Sequence, residues 1–171
     1  MNDSNTRAAS LAKLRDLIQG IHFAQLTTVE PNGHLRSRPM ATQEVEFDGD
    51  LWFFTSRVAG KINEIQMNPQ VNVSYAAPDK NRFVSVSGLA QQVDDRAKLE
   101  GLWRPGFKIW FPDGLNDPDI TLLKIEVAEV EYWDAPSSKF VRLFGFVKAL
   151  TTGNHDSLGK MGELDLRHSV P

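Results

Sequence analysis

The sequence predicts a mainly β domain with flanking helices, in which six or seven antiparallel strands curl into a small barrel. Three observations predict it. Segments with alternating apolar residues recur along the chain, turn signals separate several of them at short spacing, and the helical patterns between them are brief. Closure is preferred to a sandwich because it removes exposed strand edges.

The elements follow in order. Residues 6–19 carry Leu11, Leu14, Leu17 and Ile18 on one side, with Lys13, Arg15 and Asp16 elsewhere, which predicts an amphipathic helix closed by Gly20. Residues 22–29 and 35–45 are extended, and Glu30-Pro31-Asn32-Gly33 signals the turn of a first hairpin. Asp48-Gly49 signals a second hairpin, leading into Leu51-Trp52-Phe53-Phe54-Thr55-Ser56. A two-residue turn there sets Phe47 against Asp50 and Thr42 opposite Thr55. Arg36, Arg38, Met40 and Thr42 then share one face with Phe53, Thr55 and Arg57.

Val58, Ile62 and Ile65 recur at i, i+4 and i+7, the stripe of a short helix that ends before Pro69. Residues 71–75 and 83–90 read as two more strands around the polar loop Pro78-Asp79-Lys80-Asn81-Arg82. Asp94 is placed to cap a helix from Asp95 to about residue 103, and Pro105-Gly106 ends it. Residues 121–127 and 130–133 are again extended. A helix over 137–150 would gather Phe140, Val141, Leu143, Phe144, Val147 and Leu150 on or near one face, the stripe of a core or a subunit interface. Beyond it Gly and polar residues dominate, with Leu158, Met161, Leu164 and Leu166 interspersed. One domain over 1–150 and a tail over 151–171, disordered or laid on a partner, is the expected organisation.

Composition narrows the function. At 171 residues, 41% hydrophobic and 24% charged, the chain has the usage of one soluble globular domain with a real core. It has no cysteine, which removes thiolate chemistry, thiolate zinc sites and iron-sulfur clusters. His22, His34, His155 and His168 lack the i, i+4 spacing of metal ligands, so no metal is expected. A net charge of -3 without a basic stripe argues against nucleic acid as a partner. Residues 1–7 are polar, and no apolar run reaches the roughly eighteen residues of a membrane helix. The expectation is a cytoplasmic protein with no membrane partner.

The chemistry concentrates between Leu35 and Asn68. Lys61 falls in the first turn of the short helix, where a cation opposes the helix dipole unless an anion reverses the local field. Thr55, Ser56, Lys61 and the Arg36/Arg38 pair all fall where one dianionic group could be held. A structural account of the same residues stands beside this one. Arg36 and Arg38 could pair with Glu44, Glu46, Asp48 and Asp50 across the hairpin, and Thr55 and Ser56 could cap the helix. Residue types alone leave both open. The chain has no Walker-type loop, no G-x-G-x-x-G and no G-x-S-x-G, so chemistry would come from a borrowed group.

Arg38-Pro39-Met40, the hairpin, Leu51-Trp52-Phe53-Phe54-Thr55-Ser56, Gly60-Lys61-Ile62-Asn63-Glu64-Ile65 and Asn68-Pro69-Gln70-Val71-Asn72-Val73, in that order, resemble the flavin-binding split barrel of the pyridoxamine 5'-phosphate oxidase superfamily. Phe83-Val84-Ser85-Val86-Ser87-Gly88 and Glu131-Tyr132-Trp133-Asp134 resemble its bacterial general stress protein branch. The likeness spans residues 8–150.

The resemblance implies a split β-barrel that forms a homodimer with FMN, or FAD, in a groove between subunits. It implies that Arg38, the Phe54-Thr55 pair and Lys61 contact the phosphate, ribityl chain or ring edge, with Ser56 beside them. Backbone around Pro39, Met40 and Thr42 would approach the isoalloxazine, and Trp110 would wall the pocket from the other subunit. The chain departs from the vitamin oxidases at Gly60, where they carry an arginine, at Phe83, where they carry a glutamine, and at Trp133-Asp134-Ala135-Pro136, where they carry an arginine and histidine motif. A true pyridoxamine 5'-phosphate oxidase is therefore not expected. The function implied is a flavin-dependent oxidoreductase on an unidentified small molecule, with NADH or NADPH as a candidate electron donor and no acid or base that can be named. The alternative is a non-catalytic stress protein that stores or senses flavin; a deazaflavin or haem is a further possibility.

Overall fold

Helix α1 (Asp3–Ile18) opens the fold in the computed structural model, which describes residues 3–43, 49–134 and 160–166. Leu14 and Leu17 point from it into the main core, and Gly20, with φ of 76°, turns the chain out of the helix. Strands β1 (Phe23–Val29) and β2 (Leu35–Ala41) form the first hairpin as the turn signal predicts, in register from Phe23 opposite Ala41 to Val29 opposite Leu35.

Among the described residues, the register predicted for the second hairpin is not kept. Strand β3 (Asp50–Ser56) pairs with β6 (Ile120–Asp134), so Thr55 stands opposite Thr121 rather than Thr42. Thr42 instead donates its backbone N–H to the His22 carbonyl at 3.0 Å. Burial explains the choice. Leu51 and Phe53 enter the main core while Phe54 enters a second one, so β3 is apolar on both faces. Its fit is to β6, where Leu122, Leu123 and Ile125 are equally buried, and not to the Arg- and Ser-bearing β2. Residues 44–48, including Asp48 of the predicted turn, lie outside the described residues.

Strands β4 (Gln70–Ala77) and β5 (Arg82–Val93) complete the order β2-β1-β4-β5-β6-β3. Strand β6 is long enough to carry β3 along its first half and β7 (Lys160–Asp165) along its second. A bulge opposite Ser87/Gly88 bends the β5–β6 pair. A Cβ on Gly88 would lie 2.3 Å from the Glu126 carbonyl oxygen, so only glycine admits this approach. The sheet curls until β2 and β3, at the two ends of the order, come within 8 Å between Cα atoms without pairing. That is a split barrel.

The main core fills the concave side with Leu26, Phe53, Val73, Val86, Leu123 and Ile125. The second core lies under α3 (Arg96–Leu102), where Phe54, Leu99, Leu102, Phe111, Ile120 and Leu122 meet. Asp95 caps α3, accepting the Lys98 N–H at 3.0 Å, one residue later than predicted. Asp94 is occupied elsewhere, accepting the Thr121 hydroxyl at 2.7 Å and pairing with Arg57 at 3.2 Å.

Part of the expected tail is structured. Residues 160–165 form β7, and Leu166 is buried in the main core, its N–H donating to the Ala128 carbonyl at 2.7 Å. A strand reading Lys-Met-Gly-Glu-Leu-Asp has little intrinsic preference for extension, so the open edge of β6 supplies what the local sequence lacks. Leu166→Ala is expected to cost about 2–5 kcal/mol in urea unfolding. A change within experimental error would mean that β7 does not dock. The helix expected over 137–150 lies outside the described residues. Among those described, no helix is long and apolar enough to cross a membrane.

Candidate functional site

The loop after β3 leads directly into α2 (Gly60–Met67), so the end of the strand and the start of the helix face one another. Thr55 shares the concave face of β3 with Leu51 and Phe53 and is buried. Lys61 reaches back across the loop and donates from Nζ to Thr55 Oγ1 at 2.9 Å. Ala59, the N-cap of α2, contributes no side-chain hydrogen bond, and the first turn contains no acid. The positive end of the helix therefore carries a lysine and no compensating cap. Burial first, and then the Arg38 charge, push the Lys61 ammonium below the ordinary lysine range, while Glu64 opposes the shift.

Arg38 arrives from β2 and is held by two partners. Its Nη1 donates to Thr28 Oγ1 at 2.7 Å and its Nη2 to Glu64 Oε2 at 2.7 Å. The Thr28 hydroxyl donates to the same carboxylate oxygen, closing a triangle of β1, β2 and α2 side chains. Burial alone would raise the Glu64 carboxyl, but hydrogen bonds from Thr28 and Arg38, with the charges of Arg38 and Arg36, hold it below the ordinary glutamate value. Arg36 itself turns outward to Glu30. Of the two arginines, only Arg38 enters the corner.

Arg38, Thr55 and Lys61, three of the predicted residues, thus meet. The others do not join them through their side chains. Phe54 points to the opposite face of β3, packing against Phe107 at 4.8 Å and edge-on to Trp103 at 5.7 Å. Ser56 lies on that same face and accepts a long bond from the Val58 N–H at 3.4 Å. Neither Thr55 nor Ser56 caps α2. Met40 is buried in the main core, Pro39 is exposed, and the Thr42 hydroxyl is bound to the Ile21 carbonyl. Trp110 is half exposed at the other end of an aromatic run, 6.1 Å from Phe107 and 6.4 Å from Phe23.

Two site residues were missed. Glu64 stands one turn after Lys61 and beside Ile65, and its charge on an otherwise buried helix face was the signal. Thr28 ends the buried alternation Ala24, Leu26, Thr28 with a hydroxyl where an apolar residue would fit, and that break was the cue.

Among the described residues, the corner brings two cations, Arg38 and Lys61, against one carboxylate, Glu64. Cations and hydroxyls converging from three strands and a helix start bind anionic oxygens. Among the described residues, no group of three or more His, Cys, Asp or Glu side chains could hold a metal ion.

The family model for pyridoxamine 5'-phosphate oxidase-like proteins matches residues 9–157. Protein bli-3 of Neurospora crassa is 26% identical over 152 residues, covering 83% of this chain and 73% of that protein. General stress protein 26 of Bacillus subtilis is 26% identical over 129 residues, covering 72% of this chain and 87% of that protein. A solved general stress FMN/FAD binding protein from Xanthomonas citri has a TM-score of 0.65 at 25% identity, covering 77% of this chain and 92% of that one.

Proposed function

We propose that this chain, which belongs to the pyridoxamine 5'-phosphate oxidase-like family, binds FMN with its phosphate against the start of α2. The observation that carries the reading is the convergence of Arg38, Lys61 and Thr55 on an uncapped helix end. A phosphate fits there on charge and on hydrogen-bonding capacity. It would accept from Lys61 and Arg38 and from the backbone N–H groups of the first turn. The FMN/FAD binding relative from Xanthomonas citri supports the flavin as the group that brings it.

A bound flavin supplies hydride and single-electron transfer. The chain supplies position. Strand β2 ends its side of the sheet order, so among the described residues one of its edges is unpaired and can offer backbone groups between Met40 and Thr42 to a heteroaromatic rim. Phe54 and Ser56 act through backbone on either side of Thr55.

The assembly in this reading is a homodimer. Register places Phe83, Trp133 and Met161 side by side on the convex face, with Phe23, next to Ala24 opposite Tyr75, further along the same face. Their exposures of 44%, 38%, 72% and 55% leave an apolar row that a second copy would cover. Trp110, in contact with Phe23, would then lie at the edge of the partner's groove.

Purified protein is expected to carry the visible flavin spectrum, or acquire it with FMN, and to sediment at twice its 19.2 kDa chain mass. Reduction by NADH or NADPH and reoxidation by an acceptor would establish an oxidoreductase. Bound flavin that neither nicotinamide reduces would establish the storage or sensing role instead. Failure to take up FMN would overturn both.

A further inference from the structure

We propose that Glu64 is a built-in competitor for the phosphate, holding Arg38 and covering the start of α2 in the free site, so that every phosphate-bearing flavin binds more weakly than the cations of the corner alone would hold it. The inference rests on the flavin-binding reading of the same corner. Three observations carry it. Glu64 is buried, and its Oε2 accepts Arg38 Nη2 at 2.7 Å together with the Thr28 hydroxyl. Its other oxygen turns toward the helix start, where a Cβ placed on Gly60 would lie 3.9 Å from Oε1. The first turn of α2 has neither a side-chain cap nor an acid of its own, so this carboxylate is the anion the helix end has within reach on its own element.

Glu64 thus fills, from inside the chain, the place an incoming anion would take. An arriving phosphate must share Arg38 with it or push it aside. The cost of loosening the Glu64–Arg38 pair is the same whatever arrives, while the attraction of the corner grows with the charge of the ligand. A dianionic phosphate monoester, as in FMN, offsets that cost better than the singly charged groups of a diphosphate, as in FAD. Riboflavin, which lacks phosphate, neither meets the cost nor gains the attraction. Glu64 therefore sets how tightly a phosphate is held, acting through Arg38 without touching the ring, while the preference for FMN over FAD comes from the charge of Arg38 and Lys61.

The test is calorimetric titration of wild-type and Glu64→Gln full-length protein with FMN, FAD and riboflavin. Glutamine keeps an acceptor for Arg38 and Thr28 and removes only the charge. The variant is expected to bind FMN about tenfold more tightly, to bind riboflavin as before, and to keep its preference for FMN over FAD. Glu64→Ala, which admits water in place of the carboxylate, gives the same ordering if the glutamine variant does not fold. A purely structural Glu64 would weaken FMN and riboflavin together, and that result in either variant overturns the proposal. So does FMN affinity equal to wild type. A wild-type protein that binds FMN no better than riboflavin would overturn the phosphate site itself, and this inference with it.

Discussion

Arg38→Ala lowers the free energy of unfolding by about 3–5 kcal/mol, measured by urea denaturation without flavin. The side chains of the Arg38–Glu64 pair are only 18% and 8% exposed. Removing the guanidinium strands a carboxylate that the Thr28 hydroxyl alone cannot compensate. The loss depends on pH with a definite sign. In the wild type the depressed Glu64 value makes this contribution fully present above the ordinary 4.5, and it is lost as pH falls through the lower folded value. In the variant the depression disappears and Glu64 takes up its proton at higher pH. The two stability curves therefore converge in acid. Arg36→Ala is the control, since Arg36 is 59% exposed in its pair with Glu30 and should cost about 0–1 kcal/mol. Equal effects from the two variants would show that the Arg38 pair is not a buried one.

Lys61→Ala lowers FMN affinity about 10- to 100-fold, the range of one lost charge-assisted hydrogen bond, and leaves riboflavin binding unchanged. Equilibrium dialysis with both ligands reads the contrast. Unlike Arg38, Lys61 is not needed for stability, because burial and the Arg38 charge disfavour its ammonium in the free protein. Its folded value lies below the ordinary 10.5, so between the two the unfolded chain binds more protons and stability rises with pH. A bound phosphate acts in the opposite sense and holds the proton on Lys61. FMN affinity should accordingly fall as pH rises through the depressed value, and the fall should be absent in Lys61→Ala. Parallel loss of riboflavin binding would place Lys61 at the ring or in the fold instead.

Much of the chain declares itself locally. The β1–β2 hairpin follows from alternation on either side of a Pro-Asn-Gly turn, and α1 from the spacing of Leu11, Leu14, Leu17 and Ile18. Lys61 in the first turn of a helix is also a local oddity, visible without any partner, although the missing cap is not. The register counted from Asp48-Gly49 failed at Thr55 because a turn dipeptide says where the chain bends and not which strand it then pairs with. For β3 that choice belonged to burial on both faces, satisfied by β6 at a separation of some seventy residues. The cap of α3 slipped from Asp94 to Asp95 because Thr121 and Arg57, both distant in sequence, had claimed the first aspartate.

By itself the sequence determined the segments of α1 to α3 and most of those of β1 to β6, the basic and hydroxyl-bearing character of the corner, and the family, since each is written in residue order over short windows. The tertiary structure alone decided which basic groups meet. It turned Arg36 outward to Glu30, drew Arg38 inward to Thr28 and Glu64, sent Phe54 and Ser56 to the far face of β3, and made a strand of residues 160–165. The physical reason is that pairing, burial and charge compensation act between residues brought together by the curl of the sheet, and a pattern read along the chain contains no term for distance through space.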